Sequence, residues 1–91
     1  MITAERRRED RRRSSAGLLL RVPGLLSREV SGRLLDISSG GFRAVHADHD
    51  LAAGDRVEFS HPRNAGEAVV VWTRISEGTI VSGFRVLESL S

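Results

Sequence analysis

Six of the first thirteen residues are arginines, and their spacing suits the capture of a small anion. Arg7 with Arg11, and Arg8 with Arg12, form two overlapping Arg-x-x-x-Arg pairs. In an extended or loosely wound segment, two guanidinium groups at this spacing reach around one phosphate, because each planar fork donates two parallel hydrogen bonds. The same group stacks on a purine or pairs with the O6 and N7 edge of guanine. The alternative explanation of an isolated arginine cluster is a solvated charged tail.

The segment Asp36-Ile37-Ser38-Ser39-Gly40-Gly41 is the second group of residues suited to binding. It lies between two short apolar runs, and its composition is typical of a tight connection between strands. An ionised Asp36 accepts hydrogen bonds from the N1–H and N2–H₂ edge of guanine, and Ser38 donates to phosphate or sugar. Gly41 lacks a Cβ and lets a ligand approach the backbone. A self-stabilised hairpin turn explains the same residues when they are considered alone.

No other residues form the pattern of a catalytic or metal site. The chain has no Cys, which excludes disulfides and thiolate chemistry. His46 and His49 lie three residues apart in a polar segment, but no further ligands follow at zinc-like spacing, so an exposed loop is the better interpretation. No Ser-His-Asp order with a nucleophile elbow occurs. The sequence predicts a binding protein that is not an enzyme and has no metal or cofactor.

The positive charge of the chain is local. Residues 1–13 carry six Arg against three acidic residues, whereas residues 14–91 carry eight Arg against nine acidic residues. The first segment therefore has a net charge of +3 and the second a net charge of −1. No apolar run approaches the length of a membrane span, and the N-terminus lacks the apolar core of a signal peptide. We therefore expect a cytoplasmic protein.

Turn signals separate about six short strands at roughly 8–12-residue spacing, a pattern typical of a small antiparallel sandwich or barrel. Strands are predicted at residues 18–22, 32–37, 42–46, 55–60, 67–75 and 79–87, with loops at 25–31 and 61–66 and a hairpin turn at 76–78. Ninety-one residues make one domain. Its predicted parts are an arginine-rich arm, residues 1–17, and a β-domain, residues 18–91. Trp72 is assigned to the core or the barrel wall; if it faces outward near Asp36, a base can stack on it.

Taken together, the arginine pair and the Asp-x-Ser-x-x-Gly segment resemble the PilZ domain family. The matching residues are Arg7-Arg8-Glu9-Asp10-Arg11 and Asp36 to Gly41. The later chain is similar in three further places, Gly54-Asp55-Arg56-Val57, Val71-Trp72 and Gly83-Phe84. Each motif is weak by itself, but their order and spacing in a β-rich chain make the combination fairly specific. The resemblance covers nearly all of residues 5–88.

The resemblance implies an all-β protein, a six-stranded antiparallel barrel with a flexible N-terminal arm, that binds the bacterial second messenger cyclic di-GMP. Carried over by motif, Arg7 and Arg11 engage phosphate and guanine, while Asp36, Ser38 and Gly41 hold a guanine from the barrel surface. Arg8 with Arg12 fits the arginine spacing equally well. The resemblance also implies that the arm folds over the ligand. A chain without an output domain then has to signal through an unidentified protein partner.

Two other functions remain open from the sequence. The first is a barrel that has lost its ligand and acts as a protein adaptor, although such an adaptor has no reason to keep all five motif residues. The second is a small β-barrel that binds RNA or single-stranded DNA through the arginine arm. Barrels of that kind usually present aromatic stacking platforms, and only four aromatic residues are present here, most of them on apolar faces.

Overall fold

The computed structural model describes residues 11–89, which form strands and turns and contain no helix. The strands are β1 (Arg12–Arg13), β2 (Gly17–Val22), β3 (Arg28–Ile37), β4 (Gly41–His46), β5 (Arg56–His61), β6 (Asn64–Ser76) and β7 (Thr79–Ser89). Within residues 11–89 there is no helix long and apolar enough to cross a membrane.

Strands β2 to β7 close into an antiparallel barrel, in the order β2, β3, β4, β7, β6, β5 and back to β2. The predicted six-stranded barrel is therefore confirmed. Closure leaves none of these six strands as a free edge, which matters in a chain too short for a second layer. The seventh strand, β1, is two residues long and pairs with the end of β3.

Alternation along the strands builds the core. In β2 and β5 every second side chain is buried, because successive residues of a strand point to opposite faces. Three phenylalanines meet inside the barrel: the Phe42 ring stacks on Phe84 with centroids 4.7 Å apart and tilts against Phe59 at 5.1 Å. The buried cluster consists of Leu18, Leu20, Val30, Leu34, Phe42, Ala44, Leu51, Val57, Phe59, Ala68, Val70 and Phe84.

Two strands, β3 and β6, begin three or four residues earlier than predicted. Residues 28–31, predicted as loop, open β3 and pair with β2, with Val30 buried between exposed neighbours. The predicted loop at 61–66 is also wrong, because His61 pairs directly with Asn64 and only two residues form the turn. The hairpin turn at 76–78 is confirmed, with Glu77 at φ 53° and Gly78 at φ 81°, the left-handed values that a tight hairpin requires.

Three register shifts interrupt the strand pairing within residues 11–89, and two of them, β-bulges at Leu35 and Val71, alter which of the following side chains face outward. Leu35 is an extra residue in β3, since Leu34 pairs with Ala44 and Asp36 with Arg43. Val71 is likewise extra in β6 opposite β7. A bulge shifts the alternation by one residue, so side chains after it point to the opposite face from the one that the preceding pattern predicts.

The predicted arm is described from residue 11 onward. Residues 11–16 follow β3: the Ser14 amide donates to the Leu35 carbonyl at 3.0 Å, and the Ala16 carbonyl accepts from the Leu34 amide at 2.9 Å. Gly17 then begins β2. Arg7 and Arg8, and the predicted flexibility of the arm before residue 11, lie outside the described residues.

Candidate functional site

Asp36 is buried on the outer side of the barrel wall rather than in the core. The preceding alternation buries Val30 and Leu34 inside and would send Asp36 inside as well. The bulge at Leu35 turns it outward, where it lies directly opposite Arg43 on β4, and Ile37 takes the inward place against the core. A carboxylate inside an apolar barrel would be costly, so this bulge is what makes an aspartate acceptable here.

Two arginines contact the Asp36 carboxylate. Arg11 donates from Nη1 to Oδ1 at 2.6 Å. Arg43 donates from Nε to Oδ2 at 2.9 Å and to Oδ1 at 3.2 Å, and from Nη2 to Oδ2. Strand β1, which follows Arg11 and pairs with the end of β3, brings Arg11 to the carboxylate. The second arginine of the predicted pair and the aspartate of the second motif are thus in direct contact.

These contacts keep the Asp36 carboxylate ionised. Burial by itself would raise the pKa of Asp36, but the hydrogen bonds from Arg43 and then Arg11 outweigh it, and the pKa lies below its ordinary value. The hydrogen bond to Asp36 raises the pKa of Arg43 in turn. With two arginines and one carboxylate, the cluster retains a positive charge that favours an anionic ligand.

Trp72 lies on the same outer surface, in one cross-strand row with Asp36. The register pairs Asp36 with Arg43, Arg43 with Gly83, and Gly83 with Trp72. A Cβ on Gly83 would lie 2.5 Å from the Trp72 indole, so the ring rests on the bare backbone of β7. The Arg74 guanidinium lies 5.1 Å from the ring centroid. Trp72 therefore lies on the outer wall of the barrel and not in its core.

A cavity of about 410 Å³ opens over this surface and is lined by Arg11, Arg13, Leu35, Asp36 and Arg43. Three of its five lining residues are arginines, which suits a phosphate. A larger groove of about 540 Å³ is lined by residues of β2, β3, β5, β6 and β7. Its lining includes Glu29, Glu58, Glu67 and Glu88, a surface that repels a dianion.

Ser38 and Gly41 form the turn between β3 and β4. The Ser38 amide donates to the Gly41 carbonyl at 2.8 Å, and the Ser38 hydroxyl donates to the same oxygen at 3.3 Å. A Cβ on Gly41 would overlap the carbonyl oxygen of Phe84, so the glycine at 41 is needed for the close approach of β7. This packing explains Gly41 without any ligand and was not foreseen from the sequence.

The remaining predicted residues are placed as follows. Arg12 is exposed on β1 opposite Ile37. His46 is buried and bonds Ser82 at 2.7 Å, so it is not the loop residue that the sequence predicted. Among residues 11–89, no group of three or more His, Asp or Glu side chains is placed to hold a metal ion.

Sequence reasoning missed Arg43 as a site residue. Nothing in the sequence shows that β3 and β4 pair with Asp36 opposite Arg43. The only local signal is the turn itself: in a hairpin with a short connection, residues near the two strand ends face each other. Predicting that pair also requires the bulge at Leu35, which the sequence does not mark.

The closed six-stranded barrel, with two arginines on an aspartate at the end of β3, places the protein in the class of small antiparallel β-barrels. Residues 5–91 match the PilZ domain family, and the chain belongs to that family. A comparison with curated proteins found no match.

Two solved structures share the fold. The PilZ domain of YcgR from Escherichia coli, solved with c-di-GMP, superposes with a TM-score of 0.67 at 21% identity, covering 92% of this chain and 79% of that one. YcgR from Escherichia coli in complex with c-di-GMP gives a TM-score of 0.69 at 23% identity, covering 91% of this chain. This chain spans 38% of that longer YcgR chain, so the likeness concerns one domain of it.

Proposed function

We propose that this protein is a non-enzymatic receptor for cyclic di-GMP. The observation that carries the proposal is the contact between Arg11 and Asp36, 2.6 Å apart and separated by 25 positions in the sequence. It brings the second arginine of the predicted pair and the aspartate of the Asp-x-Ser-x-x-Gly segment into one cluster on the barrel surface. Membership of the PilZ family and the c-di-GMP in the two YcgR structures support the same ligand.

Each part of the ligand has a chemically suited group in the proposed site. Arg7 and Arg11 bind phosphate and guanine, with Arg8 and Arg12 as the alternative pair. The ionised carboxylate of Asp36 accepts from the N1–H and N2–H₂ edge of guanine. Ser38 donates to phosphate or sugar, and Gly41 holds the turn in shape.

The outer surface adds a platform for a base. Trp72 lies flat against Gly83, and the row from Asp36 to Trp72 crosses four adjacent strands. Neighbouring strands are about 4.8 Å apart, so the row is roughly 14 Å long. One ligand can therefore place a base over Trp72 while another of its groups contacts Asp36. Stacking of a base on an aromatic side chain contributes roughly 1–3 kcal/mol.

The expected affinity is in the micromolar range. Charge-assisted hydrogen bonds contribute roughly 1.5–3 kcal/mol each. Several of them together with stacking, less the free energy of ordering the arm, give about −8 kcal/mol.

In this proposal, ordering of the N-terminal arm is the signal. Fixing residues 5–13 over the ligand presents a new surface to a protein partner. Hydrogen exchange tests this step: saturating cyclic di-GMP slows exchange of amides in residues 5–13. Unchanged exchange in a protein that binds the ligand would rule out the arm as the signal.

Calorimetric titration with cyclic di-GMP tests the function. We expect micromolar binding by the wild type and a loss of roughly 10- to 100-fold in Arg11→Ala and in Asp36→Asn, the equivalent of one charge-assisted hydrogen bond. The matched control is Arg21→Ala. Arg21 is 51% exposed and salt-bridged to Glu58, much as Arg11 is 45% exposed and salt-bridged to Asp36, but it lies in the acidic groove.

We expect the Arg21→Ala control to bind cyclic di-GMP with wild-type affinity. Binding of cyclic di-GMP that is no tighter than that of GMP contradicts the proposal. Titrations at several salt concentrations test the alternative that the protein binds RNA or single-stranded DNA. The affinity for a polynucleotide falls steeply as the salt concentration rises, whereas the affinity for one dinucleotide falls only slightly.

A further inference from the structure

The two arginines on Asp36 hold it very unequally. Arg43 makes three hydrogen bonds, two to Oδ2 and one to Oδ1, from a position directly opposite Asp36 in the closed barrel. Arg11 makes one, to Oδ1, from the residue just before the two-residue strand β1. Releasing Arg11 breaks one hydrogen bond, whereas releasing Arg43 breaks three.

We propose that Arg43 is the positioning residue of the site: it satisfies Asp36 permanently, so that Arg11 is free to exchange from the carboxylate to the ligand. This inference rests on the proposed binding of cyclic di-GMP. Upon binding, Arg11 leaves Oδ1 for a phosphate oxygen, and a guanine N–H donates to the vacated Oδ1. Arg43 stays on Oδ2, so the carboxylate keeps its orientation and its charge partner throughout.

The charge balance explains why a second arginine is needed. Asp36 with Arg11 alone is a neutral pair with little attraction for a dianion. Its one cation would have to abandon a carboxylate whose side chain is only 7% exposed, which leaves a buried charge unpaired. With Arg43 in place, the three groups carry one positive charge before binding, and Asp36 is never without a cation. The other charged group that lines the cavity is Arg13, which adds to the attraction.

Three substitutions test the role of Arg43 in the full chain, each followed by calorimetric titration with cyclic di-GMP. Arg43→Gln removes the charge, and we expect affinity to fall about ten-fold. Arg43→Lys keeps a cation opposite Asp36, and we expect most of the affinity to return. The control is Arg28→Gln: Arg28 is 42% exposed on an aspartate that is 9% exposed, as Arg43 is 44% exposed on Asp36, but it binds Asp48 away from the site. We expect Arg28→Gln to bind cyclic di-GMP with wild-type affinity.

The pH dependence of binding gives a readout that loss of structure alone does not change. In the wild type, the hydrogen bonds from Arg43 and Arg11 hold the pKa of Asp36 below its ordinary value, so Asp36 stays ionised at about pH 5. Without Arg43, burial is opposed by Arg11 alone and the pKa rises. The ratio of affinities between about pH 7.5 and pH 5 is therefore larger in Arg43→Gln than in wild type or Arg43→Lys.

The outcomes separate the inference from the function on which it rests. Failure of the wild type to bind contradicts both. Wild-type binding with an unchanged or increased affinity in Arg43→Gln overturns the inference alone, since an increase shows that Arg43 competes with the ligand for Asp36. A folded Arg43→Lys that binds no better than Arg43→Gln also overturns it, because the cation is then irrelevant.

Discussion

Asp36 and Trp72 lie in one cross-strand row on the outside of the barrel, and each reaches that position through a β-bulge. Leu35 is the extra residue before Asp36, and Val71 is the extra residue before Trp72. Without these bulges both side chains would continue the inward alternation of Leu34 and Val70. The two bulges therefore assemble the candidate site, since they bring an acceptor and an aromatic ring to one surface.

Replacing the indole tests Trp72 as a base platform. Trp72→Leu keeps an apolar side chain but removes the ring, and we expect the affinity for cyclic di-GMP to fall about ten-fold, near the middle of the range for one stacked base. Trp72 is the sole tryptophan, so its fluorescence in the wild type reports the same contact directly. Emission that does not respond to saturating ligand would place the base elsewhere.

Gly83→Ala tests the support beneath Trp72. The new Cβ would lie 2.5 Å from Nε1 and Cε2 of the indole, so the ring must leave the backbone of β7. Because a side chain on the outer surface can swing away, we expect a stability loss of only about 1 kcal/mol. Tryptophan emission shifts to the red, and ligand affinity falls. The matched control is Gly17→Ala in β2, where a Cβ meets nothing within 4 Å; emission and affinity there stay at wild-type values.

Gly41→Ala has a different expected result. Its Cβ would overlap the carbonyl oxygen of Phe84, and both strands are held in register by consecutive pairs. Neither backbone can move aside, so we expect the free energy of unfolding to drop by about 3 kcal/mol, measured by urea denaturation. Gly17→Ala again provides the baseline. A Gly41→Ala protein with wild-type stability and no ligand binding would show that the glycine serves the ligand instead.

Stability depends on pH through His46. Its Nδ1 accepts from the Asp48 amide at 3.1 Å, so the neutral ring carries its proton on Nε2 and donates to Ser82 at 2.7 Å; Ser82 in turn bonds Thr73. Burial lowers the pKa of His46, although Asp48 partly opposes it. The unfolded chain then binds more protons than the folded one below the ordinary pKa of about 6.5. The free energy of unfolding therefore decreases as pH falls through that range, which urea denaturation at several pH values measures.

His46→Gln flattens this dependence. His61, whose pKa burial and then Arg63 also lower, contributes in the same direction, so His61→Gln is the companion variant. Asp36 does not contribute to the pH dependence in this range. Its pKa is lowered, so the stability from its ion pairs is lost only at pH values below the ordinary aspartate pKa of about 3.9. An equally steep profile in His46→Gln would assign the dependence to other groups.

Local sequence patterns were sufficient for most of the fold. Regular alternation and turn residues located all six barrel strands, and Glu77-Gly78 located a hairpin. The errors fall at strand ends. Residues 28–31 and 64–66 pair with neighbouring strands although their own composition is polar and turn-like. Hydrogen bonding to a strand already in place overrides weak local preference there.

The sequence by itself determined which chemical groups this protein has and where most of its strands lie: an arginine pair, an aspartate with a serine and a glycine, and alternating apolar residues. Only the tertiary structure decided which of these groups meet. The contact of Arg43 with Asp36 and the exposure of Trp72 both depend on bulges at Leu35 and Val71. Those two residues are ordinary strand formers, and no local signal distinguishes them. A bulge forms where the partner strand has one residue fewer to pair, and that number is set by closure of the whole barrel.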